Sequence, residues 1–175
     1  SQNTSAGGDG YITTKVPESG GQDSSSALDS EVEFRSSDML SSLIVYGRSQ
    51  HGSSSSYYLP LDLFLRATGP SGSTVEWSIT LKAGGSQVGT ASWDTDACTQ
   101  SFTNSCSFDH EEFEIDLEED QSFIISKDER MEITVSAEMS GCDGGSFPGG
   151  SSCEAEVAWN EIDDENNRFS QLEVE

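Results

Sequence analysis

Carboxylates are the residues in this chain whose type and spacing point most directly to chemistry. Asp94-Thr95-Asp96, Glu118-Glu119-Asp120 and Asp163-Asp164-Glu165-Asn166-Asn167 each crowd carboxylate or amide oxygens into a few positions. Hard cations such as calcium take several oxygen ligands of this kind, so these clusters are the candidate metal ligands. None follows the EF-hand spacing, since the twelfth position from Asp94 is Ser105 and from Asp163 is Val174. Each cluster reads as following or preceding a strand. Two acids within one loop chelate more readily than acids along a strand face, which stand about 6–7 Å apart. Asp94 with Asp96, and Asp163 through Asn167, are therefore preferred. The competing reading is a solvated acidic loop.

Other chemistry is poorly represented. The chain has no HExxH, GxSxG, GxxxxGK[ST] or GxGxxG motif. His51 stands in a Ser-rich loop and His110 in an acidic run, with no nucleophile elbow marking any serine. With 32 acids in the chain, a glycosidase-like pair of carboxylates fits almost any geometry and therefore marks none. No enzymatic activity is expected. Tyr57-Tyr58 put one ring on each face of a strand, and the exposed one is a candidate for glycan stacking. Asn3-Thr4-Ser5 is a glycosylation sequon.

The acids are unevenly distributed. Residues 1–107 hold 11 acids and 5 bases, whereas residues 108–175 hold 21 acids and 3 bases. A net charge of -24 makes nucleic acid and anionic membrane poor partners. The scarcity of lysine suits a protein kept soluble in salty water, where screening weakens self-repulsion. No apolar run approaches the roughly 18 residues of a membrane span. The chain opens on Ser1, which reads as a mature secreted chain after removal of a signal peptide, or as a trimmed one.

Four cysteines, Cys98, Cys106, Cys142 and Cys153, fit two disulfides in an oxidising compartment. Of the three pairings, joining neighbours is preferred: Cys98–Cys106 closes ACTQSFTNSC, and Cys142–Cys153 closes a Gly-rich loop. Zinc is disfavoured because the spacings are not CxxC.

The elements that must position these groups are strands. Within Asp109–Asp120 (DHEEFEIDLEED) the apolar Phe113, Ile115 and Leu117 alternate with Glu112, Glu114, Asp116 and Glu118. That is the period of a strand with one buried and one solvated face. TVEWSITLKA alternates in the same way, with Val75, Trp77, Ile79 and Leu81 inward. RMEITVSAEM places Met131, Ile133, Val135, Ala137 and Met139 inward and Glu132, Thr134, Ser136 and Glu138 outward. Further strands are predicted over 32–35, 40–46, 57–68, 87–93, 123–126, 153–160 and 169–174, separated by Gly, Pro, Ser and Asp turns. Trp77, Trp93 and Trp159 share inward parity with aliphatic residues and are expected in the core. The predicted fold is an all-β antiparallel sandwich over residues 31–175, of jelly-roll or Ig-like type.

Residues 1–30 form a Gly/Ser/Asp-rich arm around one β-prone segment, Tyr11, Ile12, Thr13, Thr14, Lys15 and Val16, ended by Pro17. A tethered strand of this kind suits strand addition to the edge of a neighbouring molecule. It equally suits the first strand of its own sandwich.

A Ser-start, a tethered YITTKV strand and an acidic all-β body with strand-end carboxylates together resemble the secreted β-sandwich subunits of archaeal and bacterial extracellular filaments and tubes. The resemblance covers the chain in outline. It implies a structural role with copies of itself as partners, Tyr11–Val16 as donor strand, and calcium assisting assembly. The alternative expectation is a monomeric cell-surface module that binds calcium or a glycan.

Overall fold

A computed structural model describes residues 9–12, 25–27, 31–36, 38–49, 56–99, 105–118, 121–142, 153–158, 161–162, 167–168 and 171–172. Every described element is a strand. In chain order they are β1 (Asp9–Ile12), β2 (Ser25–Ala27), β3 (Glu31–Ser36), β4 (Leu43–Tyr46), β5 (Arg48–Ser49), β6 (Tyr57–Thr68), β7 (Thr74–Ala83) and β8 (Ser86–Asp96). They continue with β9 (Asp109–Leu117), β10 (Ser122–Ile125), β11 (Met131–Ser140), β12 (Glu154–Ala158), β13 (Glu161–Ile162), β14 (Asn167–Arg168) and β15 (Gln171–Leu172). The expected Thr13–Val16, Glu119, Asp120, Asp163, Asp164, Glu165, Asn3, His51 and Trp159 lie outside the described residues.

One sheet dominates, in the order β1-β3-β11-β7-β8-β9-β6-β12-β2, with β5 and β15 also pairing β6. On β6, Leu65 pairs both β9 and β12, Leu61 both β9 and β15, and Tyr58 both β9 and β5. The edge of β6 away from β9 is therefore covered by three segments in succession. Pairings between the named strands are antiparallel except one: β1 runs parallel to β3, from Asp9 opposite Glu33 to Ile12 opposite Ser36. Two small pairs, β4 with β10 and β13 with β14, stand apart from the main sheet.

The alternation read from the sequence decides which side of the sheet is buried. Leu59, Leu61, Leu63 and Leu65 of β6, Val75, Trp77, Ile79 and Leu81 of β7, and Phe113 and Ile115 of β9 are all buried. Met131, Ile133 and Val135 of β11 join them, so one continuous core lines the concave side. Val45 of β4 and Ile125 of β10 close the same core.

The sheet curls at the seam between β8 and β9. β7 and β8 meet through a tight Gly84-Gly85 turn, both glycines at positive φ, as two-residue hairpins of this hand require. The ladder then shifts register at Leu81/Lys82, leaving Val88 as an extra residue in β8. Such a bulge sharpens the local twist. Next to it, Gly89 approaches β9 so closely that a Cβ would stand 2.8 Å from the Asp116 carbonyl oxygen and 2.8 Å from Ile115 Cγ2. β8 pairs β9 only at Gly89 and Thr90. Beyond that seam the sheet curls, bringing β7 close to β9 and β11 close to β12.

This geometry explains one departure from the sequence reading. Trp93 is the direct partner of the buried Trp77 and shares its face, yet it is 49 % exposed. After Thr90, β8 parts from β9, so Trp93 stands at the open margin of the curl instead of in the core.

Candidate functional site

The two preferred carboxylates, Asp94 and Asp96, lie inside β8 and not in a loop after it. The strand runs further than expected because β7 pairs it to its end, with Thr74 opposite Asp96. Both acids are exposed and share the convex face. The register of the three adjacent strands then adds acids from elsewhere in the chain. Glu138 of β11 lies opposite Glu76 of β7, and Glu76 lies opposite Asp94 of β8. Two pairs further along, on the same face, Ser140, Thr74 and Asp96 form a parallel row. Together with Thr95, these residues line an open recess of about 540 Å³.

Strands in a sheet are about 4.8 Å apart, so the Glu138, Glu76 and Asp94 carboxylates form a row with acid opposite acid. Like charges directly opposite one another destabilise a sheet. The row therefore concentrates negative charge on the convex face. It is a ladder and not a cage: among the described residues, no three His, Cys, Asp or Glu side chains converge closely enough to hold a metal ion. Glu118 lies apart from the row at the end of β9. Its carboxylate accepts a hydrogen bond from Gln87 Nε2, and its backbone N–H donates to the Val88 carbonyl oxygen at 3.0 Å.

Sequence reading had placed Glu138 on the outer face and had not selected Glu76. The parity of TVEWSITLKA sets Glu76 outward, so its exposure was legible. That Glu76 would stand between Glu138 and Asp94 depends on strand order and register, which parity does not encode.

The convex face also carries acids with partners. Arg66 Nε donates to Glu156 Oε2 at 2.6 Å, and the guanidinium carbon lies 4.4 Å from the centre of the Phe108 ring. Glu156 is buried, and Arg66 stands directly opposite it in the ladder. His110 Nε2 lies 3.1 Å from Asp62 Oδ1, and its ring lies 5.1 Å from that of Phe64. Arg35 pairs with Glu33 and lies 3.6 Å from Glu132 Oε1. Tyr57 and Tyr58 are both half-buried, with β5 paired alongside them, so neither offers an open stacking platform.

Both expected disulfides form. Cys98–Cys106 has a Cα–Cα distance of 5.9 Å and Cys142–Cys153 one of 5.7 Å. The first joins the segment after β8 to the segment before β9, and Cys98 N–H also donates to the Ala67 carbonyl oxygen at the end of β6 at 2.8 Å. The second joins the segment after β11 to the start of β12. Two disulfides fit an oxidising compartment. Among the described residues no helix is long and apolar enough to cross a membrane.

No protein-family model matches the chain, and no curated protein sequence matches it. Among solved structures, a CocE/NonD family hydrolase from Staphylococcus aureus is similar at a TM-score of 0.50 and 13 % identity. The match covers 87 % of this chain and 32 % of the hydrolase, so the chain spans about a third of that protein's length. At this identity the likeness concerns the fold alone.

Proposed function

We propose that this chain is a secreted structural subunit of an extracellular filament or tube, assembled by donation of its N-terminal strand. The observation that carries this reading is β1. It is the terminal strand of the main sheet, it pairs there with β3, and it runs parallel where the other named strands run antiparallel. Residues 13–30 join it to β3. That span includes β2, which pairs β12 at the other end of the sheet. A strand at a sheet edge can be supplied to the same edge by a neighbouring copy, with the same backbone hydrogen bonds. Head-to-tail donation of this kind is heterologous, and where its rotation does not close it propagates. The curled antiparallel sheet around one core supports a sandwich of jelly-roll or Ig-like type as the body of the subunit. The two disulfides support secretion.

Deleting residues 1–16 tests the reading by electron microscopy of the assembled material. Loss of filaments is expected, and unchanged filaments would sink the model.

A second reading, a monomeric cell-surface module that binds calcium, is favoured by the acid row. Calorimetric titration with calcium, repeated on Glu76→Gln, distinguishes it. Saturable binding by a monomer, lost in the variant, supports this reading over assembly. Calcium that instead promotes filaments, and whose removal by a chelator dissolves them, makes the ion an aid to polymerisation.

A further inference from the structure

The β4–β10 pair is unlike the rest of the surface. Ile44 lies opposite Ile124, and Tyr46 opposite Ser122, on the side facing away from the core. Ile124 is 60 % exposed, Ile44 47 % and Tyr46 49 %. Leu40, just before β4, is almost wholly exposed. Among the described residues β4 and β10 pair with each other and with no further strand. Among the described residues, each therefore has one unpaired edge. Such edges are usually blunted by a charge, a proline or a bulge. LIVY and SFII have none of these.

The charge around this pair is also exceptional. Residues 38–49 and 121–130 contain Asp38, Asp128 and Glu129 against Arg48, Lys127 and Arg130, which sum to zero. The other residues carry the whole net charge of -24. The local charges are matched in space: Arg130 Nε lies 3.6 Å from Asp38, Lys127 Nζ 3.9 Å from Asp128, and Glu129 accepts from the Ser126 N–H at 2.9 Å.

We infer that the β4–β10 face is a self-association surface on which a second copy of this chain docks. Two copies of so acidic a chain repel wherever their acid-coated faces meet. The neutral, apolar β4–β10 face is where they approach without that penalty. Burial of Ile44, Ile124 and Tyr46 then favours contact by the hydrophobic effect. The same patch on both copies makes a closed two-fold dimer, in contrast to the open polymer of strand donation. The two associations use different parts of the chain.

Sedimentation equilibrium on the full chain, on Ile44→Glu/Ile124→Glu, on the milder Ile124→Thr, and on a chain lacking residues 1–16 tests this. Circular dichroism checks that each variant is folded. In about 1 M salt, where screening shortens charge repulsion to ~3 Å, the full chain should self-associate and the shortened chain should dimerise. In the shortened chain Ile124→Thr should weaken the dimer by about tenfold, and the double variant should be monomeric. A full chain that stays monomeric in high salt overturns the inference. So does a dimer that survives the double variant, or one that vanishes only when residues 1–16 are removed.

Discussion

Glu132 and Glu138 sit six residues apart on the same face of the same strand, β11, and meet opposite electrostatic fates. Glu132 is flanked by Arg35 on β3 and by Lys82 on β7. Glu138 faces Glu76 on β7, with Asp94 next in line on β8. The residue type is the same and the outward parity is the same. What differs is the neighbour across the ladder. A glutamate on a sheet is therefore stabilising or destabilising according to register, and Arg35, Lys82 and Arg66 each stand opposite a glutamate at a particular row. Glu156 is the extreme of the compensated kind, buried and held by Arg66 beneath Phe108.

The contrast can be broken most severely at Arg66. Arg66→Ala leaves the Glu156 carboxylate buried without its guanidinium and should cost about 3 kcal/mol in chemical denaturation, the low end of the range for a buried pair because the arginine is partly exposed. Removing both charges, with Arg66→Met and Glu156→Leu, should return stability to within about 1 kcal/mol of the parent. A double variant as unstable as the single one would show that the ion pair itself, and not the stranded charge, matters.

At the uncompensated row the sign reverses. Glu76→Lys gives both Glu138 and Asp94 an opposite charge and should raise stability by up to about 1 kcal/mol at low ionic strength. The gain should shrink in about 1 M salt, because these side chains are exposed and screened. A gain unchanged by salt would point to packing or strand propensity instead. Least of all, Glu132→Gln removes an acid from between two bases and should lower stability by about 0.5 kcal/mol. If Glu132→Gln and Glu138→Gln moved stability in the same direction, register would not be the deciding variable.

Much of the fold was legible because strand parity is a local property. Phe113 and Ile115 are inward and Glu112, Glu114 and Asp116 outward, as the alternation requires. β6 and β7 occupy the predicted spans Tyr57–Thr68 and Thr74–Ala83, and both disulfides join the neighbouring cysteines. Trp93 was misread because parity says which side of a sheet a residue takes, and not whether anything covers that side. Asp94 and Asp96 were misplaced in a loop because no turn residue separates them from Trp93, and only the partner strand shows how far β8 continues. The neutral charge of the β4–β10 region was present in the sequence too, but split between residues 38–49 and 121–130.

The sequence by itself determined the secondary-structure class, the buried and solvated sides of each long strand, and the excess of acid that makes self-repulsion a governing force. These follow from a two-residue period and from composition, both readable over short windows. Only the tertiary structure decided which acids share a row, where the bulge beside Gly89 sharpens the curl of the sheet, and that, among the described residues, one apolar pair stands exposed in a net-neutral region. Those depend on contacts between residues far apart in the chain, and their register is set by the packing of the whole core.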